Sequence, residues 1–466
     1  MRYISSRGQC PAVDFETAVM TGLAPDGGLY IPSTFPRLTE GDLKRLQDAS
    51  FVEVAATVLK PFVTPSLDEQ ELEAMLDKAW ESFRLDTVTY LRPLQDAWLL
   101  ELFHGPTFAF KDVALQLLGH IFDHFLAKRQ RSATVLGATS GDTGSAAIAG
   151  CRGRKQLRIV ILHPHERTSL IQRRQMTTIT DANVTNLALR GDFDDCQAIV
   201  KELFGDPVAR NEYGLTAVNS INIARVLAQM VYYVQSSVQL WKRFGQAIDF
   251  CVPTGNFGDI LAGHWARVMG APIGRLVIAT NQNDILSRLF EQGRYETDEV
   301  SQSLSPSMDI QVSSNFERLL YELGQGDPHW VRTQMTALYK NGGFSLGEAA
   351  TDKLRRGFAA GRCDDTQTLA EIKKTFVNDG VTLDPHTAVA RAVARNHQTT
   401  APMVILATAH PAKFPGAVQK ATGQPPTTPQ ALKQVLDGEE RFEVIEANAQ
   451  AVRAVLQGLS TATKLG

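Results

Sequence analysis

The segment ATVLGATSGDTGSAA, residues 133–147, indicates the fold class. It opens with apolar and β-branched residues typical of a buried strand, and it runs directly into a glycine-bracketed polar loop and the small residues of a helix start. Similar runs alternate with helical stretches along the chain: LRIVILHP (157–164), NVTNLAL (183–189), DFCVPTG (249–255), RLVIATN (275–281) and APMVILATA (401–409). This alternation predicts parallel sheets with crossover helices, and hence an α/β fold.

The N-terminal part has a different pattern. Apolar residues at helical spacing run through LKRLQDASFVEVAATVL (43–59) and LDEQELEAMLDKAWESF (67–83), which predicts helices between residues 36 and 84. A chain of 466 residues is longer than one hydrophobic core normally serves, so we expect two or three subdomains.

Composition narrows the class of protein. The chain has 47 basic and 50 acidic residues, intermixed along its length, and a net charge of -3. This balance argues against a binder of nucleic acid or of membrane surfaces. No apolar run approaches the roughly 20 residues needed to span a bilayer, and no signal peptide is evident, so the cytoplasm is the expected compartment. The cysteines are scattered without metal-ligand spacing, which predicts reduced thiols and no metal site: Cys10, Cys151, Cys196, Cys251 and Cys363. No obligate protein partner is evident.

Polar loops follow four of the predicted strands. Ligands of open α/β proteins bind at the carboxyl ends of the strands, where helix N-termini present free N–H groups. The four loops therefore predict one shared site: TSGDTGSAA (139–147), TGNFGD (254–259), NQND (281–284) and TAHPAKF (408–414).

Two of these loops are bracketed by glycines. In TSGDTGSAA, Ser140, Asp142 and Thr143 are candidates to cap a helix that begins near Ser145, and both a plain cap and an anion site remain open. The sequence is neither a Walker A loop nor a GxGxxG motif, which argues against nucleotide binding. In TGNFGD, Gly255 and Gly258 suit a phosphate held by successive backbone N–H groups, although a plain turn is the alternative.

Lys111 precedes an amphipathic helix that we predict to start near Asp112. Most single lysines are solvated surface groups. Here the flanking residues Phe108, Ala109 and Phe110 are apolar, and desolvation lowers the pKa of an ammonium group and favours the nucleophilic amine. Lys111 is therefore a candidate nucleophile.

Taken together, these motifs resemble the longer form of threonine synthase. The resemblance runs in order from about residue 25 to residue 415 and rests on these segments: APDGGLYIP (24–32), LELFHGPTFAFKD (100–112), TSGDTGSAA, AVNSINIARVLAQMVYY (217–233), VPTGNFGDILAG (252–263), ATNQNDIL (279–286), SPSMDIQVSSNFERLL (305–320) and ATAHPAKF (407–414).

The resemblance implies a pyridoxal 5'-phosphate cofactor and assigns residues to it. Lys111 matches the lysine that forms the internal aldimine. Thr408 matches the neutral hydroxyl group set against the pyridine nitrogen, which leaves that nitrogen largely unprotonated. The loop that binds the cofactor phosphate corresponds to Gly255, Asn256, Phe257 and Gly258, followed by Asp259.

The resemblance also implies two substrate-binding segments. Ser140, Asp142 and Thr143 fall on the loop that holds the substrate carboxylate, and Asp142 stands where related enzymes often carry Asn. A second set matches the group that binds the substrate phosphate, with two neutral donors and a guanidinium: Ser220, Asn222 and Arg225. From the residues alone, the favoured interpretation of this second set is a helix cap near Ile223 with Arg225 on a solvated face.

The implied reaction converts O-phosphohomoserine and water to threonine and phosphate through aldimine and ketimine chemistry, with the freed Lys111 as general base. The implied fold is fold type II, the tryptophan synthase β type. It comprises a helical N-terminal region (1–95), a small α/β subdomain (111–218), and a large α/β subdomain (96–110 and 219–466) whose C-terminal helices lie on the outside.

Two further hypotheses compete with this one. A related lyase or dehydratase would prefer another hydroxylated or phosphorylated amino acid. A catalytically silent family member would serve as a binding or scaffold protein, although the presence of Lys111 and both glycine loops argues against that role.

Overall fold

The structure is a computed structural model that describes residues 1–139 and 141–464. Its strands are β1 (Tyr3–Ser5), β2 (Tyr30–Pro32), β3 (Tyr90–Pro93), β4 (Trp98–Glu101), β5 (Ala133–Ala138), β6 (Leu157–Pro164), β7 (Val184–Arg190), β8 (Leu215–Thr216), β9 (Ile248–Pro253), β10 (Ile273–Thr280), β11 (Arg294–Glu296), β12 (Gly343–Ser345), β13 (Phe358–Arg362), β14 (Met403–Ala407) and β15 (Glu443–Glu446).

The α-helices are α1 (Phe15–Thr21), α2 (Glu40–Leu46), α3 (Phe51–Val63), α4 (Glu69–Ala79), α5 (Lys111–Lys128), α6 (Asp142–Cys151), α7 (Leu170–Thr177), α8 (Phe193–Gly205), α9 (Pro207–Glu212), α10 (Ile223–Phe244), α11 (Gly258–Val268), α12 (Ile285–Gln292), α13 (Phe316–Leu323), α14 (Pro328–Asn341), α15 (Glu348–Gly357), α16 (Asp365–Asp379), α17 (Pro385–Arg395), α18 (Pro415–Thr422), α19 (Gln430–Asp437) and α20 (Ala449–Lys464). Two short 3₁₀ helices span Pro306–Met308 and Pro411–Lys413.

The chain divides into two compact units. The first unit comprises residues 1–114 and 220–427, and the second comprises residues 115–219 and 428–466.

The first unit is built on a six-stranded sheet in the order β13-β10-β9-β14-β4-β3. All neighbouring strands are parallel except β3, which is antiparallel to β4. The central strands β9 and β14 are buried along their whole length, as expected for a parallel sheet covered on both faces. Small residues of α17 pack on one face, where Ala390 shares a core cluster with Cys251, Val277 and Ile405.

The second unit has a parallel five-stranded sheet in the order β15-β7-β6-β5-β8. Its core joins apolar residues of the strands to residues of α8 and α20, including Leu136, Leu187, Leu203 and Leu456. The C-terminal strand β15 forms the edge beside β7, with Val444 opposite Ala188. The C-terminal segment thus completes a sheet whose other strands lie more than 200 residues earlier in the chain.

The predicted α/β class with parallel sheets and a helical N-terminal region is confirmed. Helices α2, α3 and α4 cover the segment predicted to be helical, and β5 and β6 have the predicted bounds. The second compact unit contains residues 428–466 together with 115–219, whereas the sequence analysis assigned residues 428–466 to the large subdomain. The local sequence does not reveal the pairing of β15 with β7, on which this grouping depends. Among the described residues, no helix is both long enough and apolar enough to cross a membrane.

Candidate functional site

Three neighbouring strands of the first unit, β9, β14 and β4, end at one edge of the sheet. They are mutually parallel in that order, so the chain segments that follow them meet at the same edge. The segment after β9 is the TGNFGD loop, the segment after β14 begins with Thr408, and the segment after β4 leads to Lys111. The first unit therefore brings together the residues that the resemblance assigns to a cofactor.

Lys111 is fixed in place by hydrogen bonds to the Thr408 segment. The backbone N–H of Phe110 donates to the carbonyl of Thr408 at 2.8 Å, and the N–H of His410 donates to the carbonyl of Phe108 at 3.1 Å. Phe108 and Thr408 are buried. Lys111, the first residue of α5, is half-buried, so its side chain is only partly removed from solvent.

The next residue, Asp112, holds this turn together. Its carboxylate accepts the backbone N–H of Thr107 at 2.8 Å and the Thr107 hydroxyl at 2.7 Å. Burial raises the pKa of Asp112 to about 6. The carboxylate is thus engaged by the turn that presents Lys111.

The TGNFGD loop has the geometry of an anion site. Phe257 has a φ of 63° and no side chain caps α11 at this position among the described residues, so the N–H groups of the first turn remain available to a ligand. A Cβ atom on Gly255 would lie 2.8 Å from the backbone oxygen of Ser307, which requires glycine there.

Asp259 lies in the first turn of α11, but its carboxylate contacts α10. One carboxylate oxygen, Oδ1, accepts the hydroxyl groups of Tyr232 at 2.6 Å and Tyr233 at 2.9 Å. Burial raises the pKa of Asp259 to about 6. Its side chain therefore anchors the helix start, and any contact with a phosphate would use its backbone N–H.

The sequence did not single out Ser307 as a site residue. It lies in the 3₁₀ helix Pro306–Met308, and its hydroxyl accepts a hydrogen bond from Nζ of Lys111 at 3.3 Å. The string SPSMDIQVSSNFERLL contained this serine, but no local feature distinguishes it from the other serines of the loop.

Asn315 and Arg318 were missed for the same reason. The Asn315 amide donates to the carbonyls of Asn256 and Ser220, both at 3.1 Å. Arg318 donates to the carbonyls of Tyr30 at 2.8 Å and Ile221 at 2.6 Å, and burial lowers its pKa to about 9. These two buried side chains connect the TGNFGD loop to the segment before α10.

The predicted substrate-phosphate set lies at the start of α10. Asn222 caps this helix, because its side chain accepts the N–H of Ala224 at 3.1 Å, and its amide donates to the carbonyl of Val19 at 2.8 Å. The capping alternative is therefore correct for Asn222. Ser220 is half-buried, and its carbonyl accepts the Asn315 bond described above.

Arg225 is not on a solvated face, which contradicts the alternative drawn from the residues alone. Only 4% of it is exposed, and its Nε and Nη1 atoms have no hydrogen-bond partner among the described residues. Burial lowers the pKa of Arg225 to about 10, and the electrostatic interaction with Tyr232 acts on this pKa in the opposite direction. A buried guanidinium without a carboxylate is costly, so this environment favours an anionic ligand.

The TSGDTG loop belongs to the second unit, where α6 begins at Asp142 and not near Ser145 as predicted. The hydroxyl of Thr139 accepts the N–H groups of Gly141 at 3.0 Å and Gly144 at 3.1 Å. Gly141 is the N-cap residue, and among the described residues the side chain that accepts an N–H group of the first turn is that of Thr139. Asp142 and Thr143 lie inside α6, so the side-chain capping considered for them is wrong. Asp142 is buried and accepts the amide of Gln172 at 3.1 Å, and Thr143 is exposed. Ser140 lies outside the described residues.

The chain is similar to known proteins over most of its length. Residues 87–408 match the family of pyridoxal-phosphate dependent enzymes, residues 2–80 match the threonine synthase N terminus, and residues 387–456 match the threonine synthase C-terminal region. The chain is 47% identical to threonine synthase of Pseudomonas aeruginosa over 97% of both chains. It superposes on the pyridoxal-phosphate-bound threonine synthase of Brucella melitensis with a TM-score of 0.97, 46% identity and 99% coverage of both chains. The yeast threonine synthase structure gives a TM-score of 0.95 at 39% identity, again with 99% coverage of both chains.

The residues of the first unit fit pyridoxal phosphate. An uncapped helix start behind a loop that requires glycine suits the phosphate group. Lys111, in the segment after β4, supplies an amine at this edge of the sheet. Buried Thr408, directly after β14, supplies a neutral side chain at the same edge. The donor set therefore matches the chemistry of the cofactor.

Replacing Gly255 with alanine should weaken cofactor binding. The added methyl group would press on the Ser307 carbonyl, and overpacking of this kind costs about 1 to 3 kcal/mol, or roughly 5- to 150-fold in affinity. Titration of the cofactor-stripped protein with pyridoxal phosphate measures the loss. Gly416→Ala is the matched control, because a Cβ atom there meets nothing within 4 Å. Equal affinities in the two variants would show that the loop does not depend on this contact.

Proposed function

This chain belongs to the threonine synthase family of pyridoxal-phosphate-dependent enzymes, and from this premise we propose that it converts O-phospho-L-homoserine and water to L-threonine and phosphate. We further propose that the reaction takes place in the cytoplasm, which suits a protein with all five cysteines unpaired.

The observation that carries the choice of substrate is the buried guanidinium of Arg225. It lies in the first turn of α10 with two nitrogen atoms unpartnered among the described residues. A phosphate dianion would balance the charge of this guanidinium and accept hydrogen bonds from its N–H groups. An unphosphorylated amino acid would leave them buried without a partner, which costs free energy.

Lys111 has two roles in this proposal. It would hold the cofactor covalently, and after the substrate amine displaces it, its own amine would remove the proton from the substrate α-carbon. When bound, pyridoxal phosphate supplies a conjugated ring that takes up negative charge from the substrate. The position of Lys111 among the strand ends that also carry Thr408 and the TGNFGD loop supports this assignment.

The other site residues would bind and orient. The loop residues Gly255, Asn256, Phe257 and Gly258, with the backbone of Asp259, would hold the cofactor phosphate. Thr408 would place a neutral hydroxyl at the ring nitrogen. Ser220 and Arg225 would bind the substrate phosphate, with Asn222 setting the start of α10. The substrate carboxylate is assigned to Ser140, Asp142 and Thr143 on the basis of the resemblance.

A product assay tests the proposal. The purified holoenzyme should release threonine and phosphate in equal amounts from O-phospho-L-homoserine, and it should do so with a higher specificity constant than for deamination of serine or threonine. The opposite preference would identify a related lyase or dehydratase. A protein that binds the cofactor but turns over none of these compounds would be a silent family member.

A further inference from the structure

Ser307 contacts two parts of the candidate site. Its hydroxyl lies 3.3 Å from Nζ of Lys111, and its backbone oxygen lies against the α-carbon of Gly255, where a Cβ atom would come within 2.8 Å. Ser307 is exposed, so its side chain serves no packing role. The contacts of Ser307 with the Lys111 amine and with Gly255 of the TGNFGD loop therefore have a purpose other than packing.

The backbone of Ser307 is held by a buried histidine. The N–H of Ser307 donates to Nε2 of His386 at 3.3 Å. Because Nε2 accepts this bond, the ring proton lies on Nδ1, which is 2.9 Å from a carboxylate oxygen of Asp384. His386 is 4% exposed and Asp384 is 1% exposed. The hydrogen bonds thus assign one tautomer to the histidine.

Asp384 is itself fixed by the start of α17, where it is the N-cap residue. It accepts the backbone N–H of His386 at 2.9 Å and that of Thr387 at 3.3 Å, and it also accepts the Thr387 hydroxyl. The positive end of the helix dipole favours a carboxylate at this place. A continuous series of hydrogen bonds therefore leads from the N-terminus of α17 to the amine of Lys111.

The remainder of the Ser307 loop has a separate anchor. The amide of Asn281 donates to the hydroxyl groups of Ser303 at 2.8 Å and Ser305 at 3.0 Å, and to Asp309 at 2.7 Å. The Asn281 network holds the loop without touching Lys111. The two sets of contacts can therefore be perturbed independently.

We propose that Ser307 is a positioning residue for the amine of Lys111, and that the Asp384–His386 pair fixes Ser307 for this role. Lysine has four rotatable side-chain bonds, and an amine that must react at a defined atom gains rate when a neighbour restricts its orientation. The proposal rests on the proposed function only in taking Lys111 as the reacting amine.

The test compares Ser307→Ala with Ser307→Thr and Ser305→Ala in the full-length chain. The first readout is the rate at which cofactor-stripped protein forms its covalent bond with added pyridoxal phosphate, followed by absorbance. The second is the affinity for pyridoxine 5'-phosphate, which has the same phosphate but no aldehyde and so cannot bond to lysine. The third is the separate effect on kcat and KM with O-phospho-L-homoserine.

We expect Ser307→Ala to slow bond formation and to lower kcat by about 10- to 100-fold, within the range of orientation effects. Affinity for pyridoxine phosphate and KM should stay within about twofold of wild type, since the phosphate loop is unchanged. Ser307→Thr should recover most of the rate because it keeps the hydroxyl. Ser305→Ala should behave as wild type in bond formation.

Two results would overturn the proposal. Bond formation at the wild-type rate in Ser307→Ala would show that the hydroxyl does not position the amine. Equal losses in Ser307→Ala and Ser305→Ala, accompanied by weaker pyridoxine phosphate binding, would show that the loop is merely structural. The bond-formation readout does not involve substrate, so failure of the proposed reaction would leave it interpretable.

A pair of histidine variants tests the anchor. His386→Gln keeps an acceptor near the position of Nε2, whereas His386→Leu removes it. Bond formation should be slower in His386→Leu than in His386→Gln by about 5-fold or more, in line with the loss of one buried hydrogen bond. Equal rates in the two variants would exclude the His386 contact from the role we assign to it.

Discussion

Replacing Lys111 with alanine should abolish the borohydride-reducible bond between cofactor and polypeptide. The turnover number should fall by about 10²- to 10⁴-fold or more. The lower bound is the contribution of a positioned general base, and loss of the covalent attachment adds to it. Mass mapping of the reduced, labelled peptide identifies the lysine, and the product assay measures the loss of turnover.

Lys413 provides the critical comparison for this prediction. It is a buried lysine of the first unit, and its Nζ donates to the carbonyl of Thr107 at 2.9 Å, four residues before Lys111. In Lys413→Met the label should remain on the peptide that contains Lys111. A labelled peptide that contains Lys413 in the wild-type protein would refute the assignment.

Arg225→Met should reduce activity on O-phospho-L-homoserine by roughly 30-fold to several thousand-fold. This range corresponds to about 2 to 5 kcal/mol for loss of a charge-assisted pair in a buried site. Side reactions on unphosphorylated amino acids should change far less, because those substrates place no phosphate near the guanidinium. The measurement is the ratio of the two specificity constants in wild type and variant.

Thermal unfolding of the same variant separates a binding role from a structural one. Arg225 is buried with two unpartnered nitrogen atoms among the described residues, so methionine at this position removes an uncompensated charge and keeps a similar volume. The ligand-free variant should therefore be at least as stable as wild type. Loss of stability together with equal loss of activity on both substrate classes would make Arg225 a structural helix residue.

The sequence predicted those parts of the fold in which the signal is local. Buried parallel strands such as β6 and β14 are nearly continuous apolar runs, so their existence and approximate bounds could be read directly. β15 could not be found in this way. Its residues are largely exposed, and its pairing with β7 joins segments about 250 residues apart, which no local pattern records.

The same distinction holds for the site residues: those with a local sequence signal could be predicted, and those that depend on distant segments could not. The local pattern makes Lys111 a candidate nucleophile and the TGNFGD loop a candidate phosphate loop, each with a plainer alternative, and the resemblance assigns these roles. Arg318 sits in an amphipathic helical pattern, FERLLYEL, where an arginine reads as a solvated residue, yet it is wholly buried and bonds to Tyr30 and Ile221. Its role depends on three segments that meet only in the folded chain.

The pairing of β15 with β7 has a consequence for how the protein is made. Synthesis proceeds from the N-terminus, and domains generally fold as units during it. Residues 115–219 emerge early but receive β15 and α20 only from residues 428–466, while the first unit must wait for residues up to 427. Neither unit can complete its sheet before Phe358–Arg362, Met403–Ala407 and Glu443–Glu446 have been synthesised, so both expose unfinished sheet edges on the ribosome. Chaperone demand and the yield of soluble protein should consequently respond to changes near the C-terminus that never touch the catalytic groups.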